Sequence, residues 1–375
     1  MTPIKVLHVL EVEKEAFYFN NLVDLSAHGE LEHSFVTFAG EGRFTESMRE
    51  RGCRVIALDA RTKRSLLAAA ARLRRIIRDE RPDLIHTHLF NPTVIGLIVA
   101  RLEKKPALVT RHHSDAIHLI QNRLKRSFYL LLERLNNRLA THIVAPSRMV
   151  RQCLVEWENV PEWKVSLIPY GQRMSRFEAV TQECVDAKRK ELGMNEQLSL
   201  VCISRLFHRK GHKFLFKALA PLIASGLNAR LYLVGEGDYR PTLEKLAGEL
   251  GIADNVTFLG WRDDILEIIG SADIVVHPSL EDALSQSLIE SIMLAKPVIA
   301  TDISGASDTL GDGKYGRLVP PADSDAFREA VEDTIADIAA ARERAEKGRE
   351  YLLEYMDAGR TTAEYVRLYR RLLAD

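Results

Sequence analysis

A chain of 375 residues with 46% hydrophobic side chains can bury sizeable cores, and its length predicts two or three domains, with two as the working number. Basic and acidic side chains balance overall, yet residues 1–175 hold 27 Lys and Arg against 19 Asp and Glu, and the remainder 25 against 33, so the first half faces either an anionic partner or water. Cys53, Cys153, Cys184 and Cys202 form no Cys-x-x-Cys pair, which argues against a zinc ribbon or a redox motif, and no run reaches membrane-spanning length.

Residues 4–10 read as a buried parallel strand, with Lys5 inside it and none of the architecture of a signal peptide. The expectation is a cytoplasmic protein, with any membrane contact peripheral and at the inner face. Helical spacing follows through Phe17, Leu22, Val23 and Leu25, then strands over 33–38 and 54–58 around a helix over 44–51 that Gly52 ends. A helix over 65–80 stops before Pro82. Strands over 84–88, 107–110, 143–145 and 165–169 alternate with helices over 93–102 and 124–138, completing one doubly wound domain over 1–175. Residues 176–196 are polar and helix-prone and read as a connection. A second series runs over 197–355, with strands at 198–204, 230–234, 256–259, 274–276 and 297–300. Residues 323–354 are strongly helical, and an amphipathic helix within 356–375 is expected to return to the first domain. Two open α/β sheets place their ligand crevices at the carboxyl ends of the strands, so a cleft between the domains is the expected site.

Residues 277–301 concentrate the unusual chemistry. An acidic, Ser-rich loop runs into a helix whose Leu288, Ile289, Ile292 and Met293 form one apolar face, and Glu290 lies among them. A carboxylate there is costly to bury without hydrogen-bond partners from the protein or a ligand. Residues 204–211 follow the first strand of the second domain and carry Arg205 and Lys210. Gly211 precedes a helix whose free amides favour an anion, so this turn suits phosphate better than it suits a solvated basic loop. Gly235-Glu236-Gly237 follows the next strand, where two glycines serve either a close backbone approach to a ligand or a tight turn. No G-x-x-x-x-G-K-[ST] loop occurs and no G-x-G-x-x-G follows the first strand, which speaks against an ordinary ATPase or dehydrogenase. His112 and His113, in Arg-His-His-Ser-Asp after a strand, are open to a structural or a functional reading. The basic helix over 61–81, with Leu66, Leu67, Leu73, Ile76 and Ile77 on one side, is either a core-facing helix or a membrane contact, the core being favoured. Arg123, Lys125 and Arg126 add basic character. Aromatics do not interleave with these charges, which argues against nucleic acid.

Arg205-Leu-x-x-x-Lys-Gly211, Leu233-Val-Gly-Glu-Gly237, Val256-Thr-Phe-Leu-Gly260, Ala272-Asp-Ile274 leading to Pro278-Ser279, Glu290-Ser-Ile-Met-Leu-Ala-Lys-Pro-Val-Ile-Ala-Thr301 and Gly316-Arg-Leu-Val-Pro-Pro321 together resemble the retaining glycosyltransferases of family 4, with the GT-B fold. The first domain resembles them more loosely, through His86-Thr-His88, Thr110-Arg-His112, Ala145-Pro-Ser147 and Ile168-Pro-Tyr-Gly171. The resemblance implies two Rossmann-like domains facing across a cleft and metal-independent transfer of a sugar, with retention, from a nucleotide-diphosphate-sugar to a hydroxyl acceptor. No cofactor is implied beyond that donor. The acceptor would be a glycan or lipid-linked molecule, in cell-surface polysaccharide or glycolipid synthesis. Arg205 and Lys210 would grip the diphosphate, and Glu290 would take the ribose hydroxyls. Asp282, His112 and the neighbouring Glu281, Ser285, Gln286, Ser287, Gly235, Glu236 and His113 would face the sugar and phosphate. Two departures stand out. The family's paired glutamates are eight apart, and eight residues before Glu290 stands Asp282, with Glu281 beside it. The glycine-rich loop after the first strand is replaced by Glu11-Val-Glu-Lys-Glu-Ala16. These departures keep a non-catalytic nucleotide-sugar-binding protein open as an alternative, and a GT-B epimerase of nucleotide sugars is a second.

Overall fold

The computed structural model describes residues 3–374 except 15, 16, 27, 28, 61, 113–116, 118, 119, 121, 195 and 283. The chain divides into two compact units, Met1–Arg173 with Met356–Asp375, and Met174–Tyr355.

In the first unit, strands β1 (Ile4–Leu10), β2 (Leu31–Thr37), β3 (Arg54–Ala57), β4 (Leu84–His88), β5 (Ala107–Thr110), β6 (His142–Ala145) and β7 (Val165–Leu167) alternate with helices. Those helices are α1 (Phe17–Ser26), α2 (Arg43–Glu50), α3 (Lys63–Glu80), α4 (Phe90–Leu102), α5 (Arg123–Leu139) and α6 (Arg148–Gln152). The strands pair in parallel in the order β3-β2-β1-β4-β5-β6-β7, so the winding direction reverses between β1 and β4. Parallel strands covered on both faces need apolar side chains on both, which is why β4 and β5 are buried along their whole length. The polar exceptions are His86, Thr87 and His88 of β4 and Thr110 of β5. Register sets His8 of β1 beside His86 of β4 and beside Phe35 of β2.

The second unit begins with α7 (Ser175–Glu178) and α8 (Gln182–Leu192), which cover much of the segment expected as a connection. They belong to this unit because α8 is tied down: Arg189 donates to the Ser271 carbonyl at 2.6 Å and pairs with Asp273. Strands β8 (Leu198–Ile203), β9 (Ala229–Val234), β10 (Val256–Gly260), β11 (Ile274–His277), β12 (Val298–Thr301) and β13 (Arg317–Val319) form a parallel sheet in the order β10-β9-β8-β11-β12-β13. Around it lie α9 (His212–Ala224), α10 (Arg240–Glu249), α11 (Ile265–Ser271), α12 (Gln286–Met293), α13 (Ser304–Thr309), α14 (Ser324–Ala336) and α15 (Ile338–Tyr355). Here the reversal falls between β8 and β11.

The last helix, α16 (Ala358–Ala374), lies with the first unit. Tyr365 and Tyr369 are fully buried and cluster with Leu22, Leu84, Leu108 and Val144. Side chains of that size each stabilise by about 1.5–3 kcal/mol on burial, so α16 is part of this core. Gly171 marks the approach: a Cβ there would come within 2.7 Å of the Ala358 Cα.

Candidate active site

In an open α/β sheet, ligands bind beyond the carboxyl ends of the strands where the winding reverses. In the second unit that point joins the loops after β8 and β11. Gly211 adopts φ +70°, and a Cβ on it would lie 1.8 Å from the Pro278 carbonyl oxygen, so only glycine lets the two loops touch. Lys210, one residue earlier, places its ammonium 2.7 Å from the Asp282 carboxylate. The neighbouring Arg209 pairs with Glu281 at 3.5 Å. The structure thus separates the two acidic candidates: Asp282 holds the lysine of the turn, and Glu281 holds the exposed arginine. Arg205 is exposed on the same turn, its guanidinium 5.9 Å from the Phe207 ring centre. Helix α9 starts at Gly211 with no side-chain cap, which leaves its first amides directed at this corner.

Gly235 and Gly237 are explained by the chain itself. A Cβ on either would lie 2.2 Å from the Ser204 carbonyl oxygen or 2.3 Å from that of Leu206, and Leu206 N–H donates to the Glu236 carbonyl at 3.0 Å. Of the two readings open in the sequence, the tight turn is the one the structure displays: it braces the 204–211 loop. The Glu236 side chain is half exposed and pairs with Arg240.

Glu290 is buried on α12, as its neighbours predicted. Its Oε1 accepts from Arg176 Nη2 at 2.9 Å and from Gln286 Nε2 at 3.1 Å. Burial pushes its carboxyl up, and the Arg176 charge opposes that shift. The partner that the sequence demanded is therefore supplied by α7, from a residue 114 positions away. Nothing in the spacing points to Arg176. Ser287 Oγ donates to the Ile203 carbonyl at 3.1 Å and Ser285 Oγ lies 3.2 Å from it, so these hydroxyls tie the start of α12 to the end of β8.

A further residue escaped the sequence reading. His277, the last residue of β11, is buried, and its Nε2 has no hydrogen-bond partner while standing 3.9 Å from Asp282 Oδ2. Burial, the main cause, pulls its imidazole down to about 4, so it is neutral near pH 7. Its position immediately before Pro278-Ser279 is the signal that was available.

In the first unit His112 follows β5, its Nδ1 2.5 Å from the Tyr170 hydroxyl and its Nε2 3.2 Å from His88 Nδ1. His113 lies outside the described residues. The preceding Arg111 is buried and bonds Glu158, Glu133 and Asn137 at 2.9, 3.1 and 2.8 Å, fixing the end of β5. The acidic loop after β1 packs against the start of α2, where a Cβ on Gly42 would lie 2.7 Å from the Glu13 carbonyl oxygen. His8, His86 and His88 bring ring nitrogens within 4.8 Å of one another, a spacing open to a metal, yet hydrogen bonds to protein groups already engage them. A cavity of 550 Å³ lined by Arg189, Asp273, Lys296 and Arg342 opens at the amino ends of β11 and β12, the opposite edge from the site.

Two parallel, doubly wound units with phosphate-suited chemistry at a strand-end reversal define a GT-B glycosyltransferase. Residues 16–171 match the Glycosyl transferase 4-like domain and residues 185–351 the domain of the glycosyl transferases group 1, and the chain belongs to this two-domain glycosyltransferase family. It is 25% identical to the UDP-Gal:alpha-D-GlcNAc-diphosphoundecaprenol alpha-1,3-galactosyltransferase of Escherichia coli, over 74% of this chain and 72% of that one. It is 26% identical to the 2-deoxystreptamine glucosyltransferase of Streptomyces kanamyceticus, over 81% and 82%. Among solved structures, Anabaena HepE in complex with UDP superposes with TM-score 0.85 at 20% identity, covering 98% of this chain and 100% of that one. WaaG, a glycosyltransferase involved in lipopolysaccharide biosynthesis, gives 0.75 at 18%, covering 98% and 99%.

Proposed function

We propose that this glycosyltransferase moves a sugar, with retention and without a metal, from a nucleoside-diphosphate sugar to a hydroxyl acceptor. The observation that carries the reading is the corner where Lys210, Arg205 and the uncapped start of α9 meet at the β8–β11 reversal. Two cations and a helix start compensate the charge that grows on a leaving diphosphate, the task a metal would otherwise perform. Lys210 exchanges Asp282 for the diphosphate when donor binds, and Asp282 then faces the sugar. Glu290, held by Arg176, accepts from the ribose hydroxyls. In the retaining step the leaving phosphate oxygen takes the acceptor proton on the face the sugar bond leaves, so no separate base is required. HepE has been solved with UDP and with UDP-glucose, which supports a uridine donor as the first to try. The comparisons favour neither the non-catalytic binder nor the epimerase.

The acceptor is taken to be lipid-linked, in cell-surface polysaccharide or glycolipid synthesis, with the enzyme cytoplasmic and peripheral at the inner membrane face. No described helix is long and apolar enough to cross a membrane. The surface that supports contact is α5 rather than α3: Leu73 and Ile77 of α3 are buried in the core, Leu66 and Ile76 are half-buried, and Leu67 alone of that set is exposed. Helix α5 is inverted. Glu133, Asn136 and Asn137 point inward to Arg111 and its neighbours, while Leu124, Phe128, Leu131 and Leu135 stand outward, 85, 58, 63 and 39% exposed. Arg123, Lys125, Arg134 and Arg138 flank that stripe. An apolar stripe between basic residues fits an anionic lipid surface.

Thermal shift against a panel of nucleotide sugars, followed by product analysis for the anomeric configuration, tests the donor half. A rise in melting temperature abolished by Lys210→Ala and Arg205→Ala is expected, and no response to any nucleotide sugar refutes it. Co-sedimentation with anionic vesicles, lost in Phe128→Glu and Leu131→Glu, tests the second half. Equal binding to neutral vesicles, or a wild-type dimer that these changes dissociate, refutes it.

A further inference from the structure

The first unit holds a row of side chains for which sugar transfer supplies no obvious need. Hydrogen bonds pass from the Tyr170 hydroxyl to His112 Nδ1, from His112 Nε2 to His88 Nδ1 at 3.2 Å, from His88 Nε2 to His8 Nδ1 at 3.2 Å, from His8 Nε2 to His33 Nδ1 at 2.9 Å, and from His33 Nε2 to Ser26 Oγ at 2.7 Å. His8 and His88 are essentially inaccessible, and His33 nearly so. Burial holds all three imidazoles below their ordinary range, His33 at about 4, so each is neutral and offers one N–H and one lone pair.

A row of neutral imidazoles satisfies every link in only two registers. All four N–H groups sit on Nε2 and donate toward Ser26, or all sit on Nδ1 and donate toward Tyr170. Ser26 decides between them. Its Oγ lies 2.6 Å from the Leu22 carbonyl one turn back on α1, so its O–H donates there and its oxygen accepts from His33 Nε2–H. That choice propagates link by link and leaves His112 with its N–H on Nε2 and its lone pair on Nδ1. A change of register would need a proton to enter at Tyr170 and another to leave at Ser26, which is buried, so the row acts as a lock and not a conduit. His86 packs against His88 with ring centres 4.1 Å apart, yet its nitrogens take Tyr369 and Thr110, which keeps it out of the row.

We propose that Ser26 is a positioning residue that sets the proton register of His33, His8, His88 and His112, so that His112 offers Nδ1 as a hydrogen-bond acceptor to a substrate hydroxyl that displaces Tyr170. The identity of that hydroxyl rests on the proposed function; the register does not. Nitrogen-15 NMR of the full chain labelled at histidine reads which ring nitrogen carries the proton. In the wild type all four are protonated on Nε2. In Ser26→Ala the His33 Nε2–H loses its acceptor and all four exchange to Nδ1, while Ser26→Thr restores the wild-type pattern. Tyr170→Phe keeps the Nε2 register, because the inner end sets it. With a working donor, Ser26→Ala lowers kcat about five- to tenfold, the worth of one hydrogen bond, at unchanged donor KM, and Ser26→Thr recovers it. Mixed tautomers in the wild type, or a change confined to His33 in Ser26→Ala, overturn the proposal. The wild-type spectrum decides even if the alanine variant does not fold. Failure to transfer any sugar defeats the proposed function and leaves the spectrum to judge the register.

Discussion

Arg176→Ala tests whether Glu290 depends on a protein partner as the geometry says. Glu290 is 7% exposed at its side chain and Arg176 23%. Removing one member of a buried pair typically costs about 3–5 kcal/mol. Two features reduce that here: Gln286 keeps its hydrogen bond to Oε1, and Arg176 reaches partly into solvent. A loss of about 2–3 kcal/mol near neutral pH is therefore expected. The pH dependence carries the stronger signature. Burial already raises the Glu290 carboxyl, and losing Arg176 raises it further. An acid whose folded pKa exceeds its unfolded value binds protons more tightly in the folded state, so stability falls as pH rises through that window, by about 1.4 kcal/mol per unit at most. The gap between wild type and variant should be small near pH 5 and full near pH 8, in urea unfolding. Glu290→Gln added to Arg176→Ala should recover most of the loss. A gap below about 0.5 kcal/mol, or one equal at both pH values, would refute the reasoning.

Gly211→Ala forces a methyl into the Pro278 carbonyl at a left-handed φ, so a loss above about 2 kcal/mol and of diphosphate affinity is expected by urea titration and calorimetry; wild-type values for both would show that the two loops do not meet there. Arg111→Met strands the buried Glu133 and Glu158 carboxylates, and a cost of about 3–5 kcal/mol that shrinks on acidification should appear in equilibrium unfolding; a neutral effect would count against the ion cluster. Acid should weaken the whole chain early. His33, His212 and His277 sit near 4 when folded, so the unfolded chain binds more protons, and stability intact above about pH 6.5 falls by up to about 3 kcal/mol per histidine as pH approaches 4. A flat profile across that range would show those rings to be solvated.

The strands were legible because parallel sheets bury both faces: β8, β11 and β12 are mainly apolar runs with no alternation to misread. The turn at Lys210 and Gly211 was legible for another reason, since strand, cation, glycine and helix are adjacent in sequence. Glu290 was recognised as needing a partner, and Arg176 was missed, because α7 and α12 meet only through the fold. Periodicity also misses direction. Helix α5 has an apolar stripe of ordinary spacing, and its leucines look like core until Arg111 is seen to draw Glu133 and Asn137 inward. Apolar spacing along a helix names a face; the charge buried beneath the helix chooses where it points.

One departure from the family pattern, Asp282, acquires physical content from the same geometry. A shorter carboxylate at position 282 still meets Lys210 at 2.7 Å because Gly211 lets the β8 loop close onto Pro278, so the missing methylene is made up by backbone approach. Lengthening the side chain, as in Asp282→Glu, then pushes against a loop that is already near. His277 Nε2, which has no hydrogen-bond partner, stands 3.9 Å from the same carboxylate. Asp282 is thereby flanked by the Lys210 ammonium on one side and by an imidazole that is neutral near pH 7 on the other.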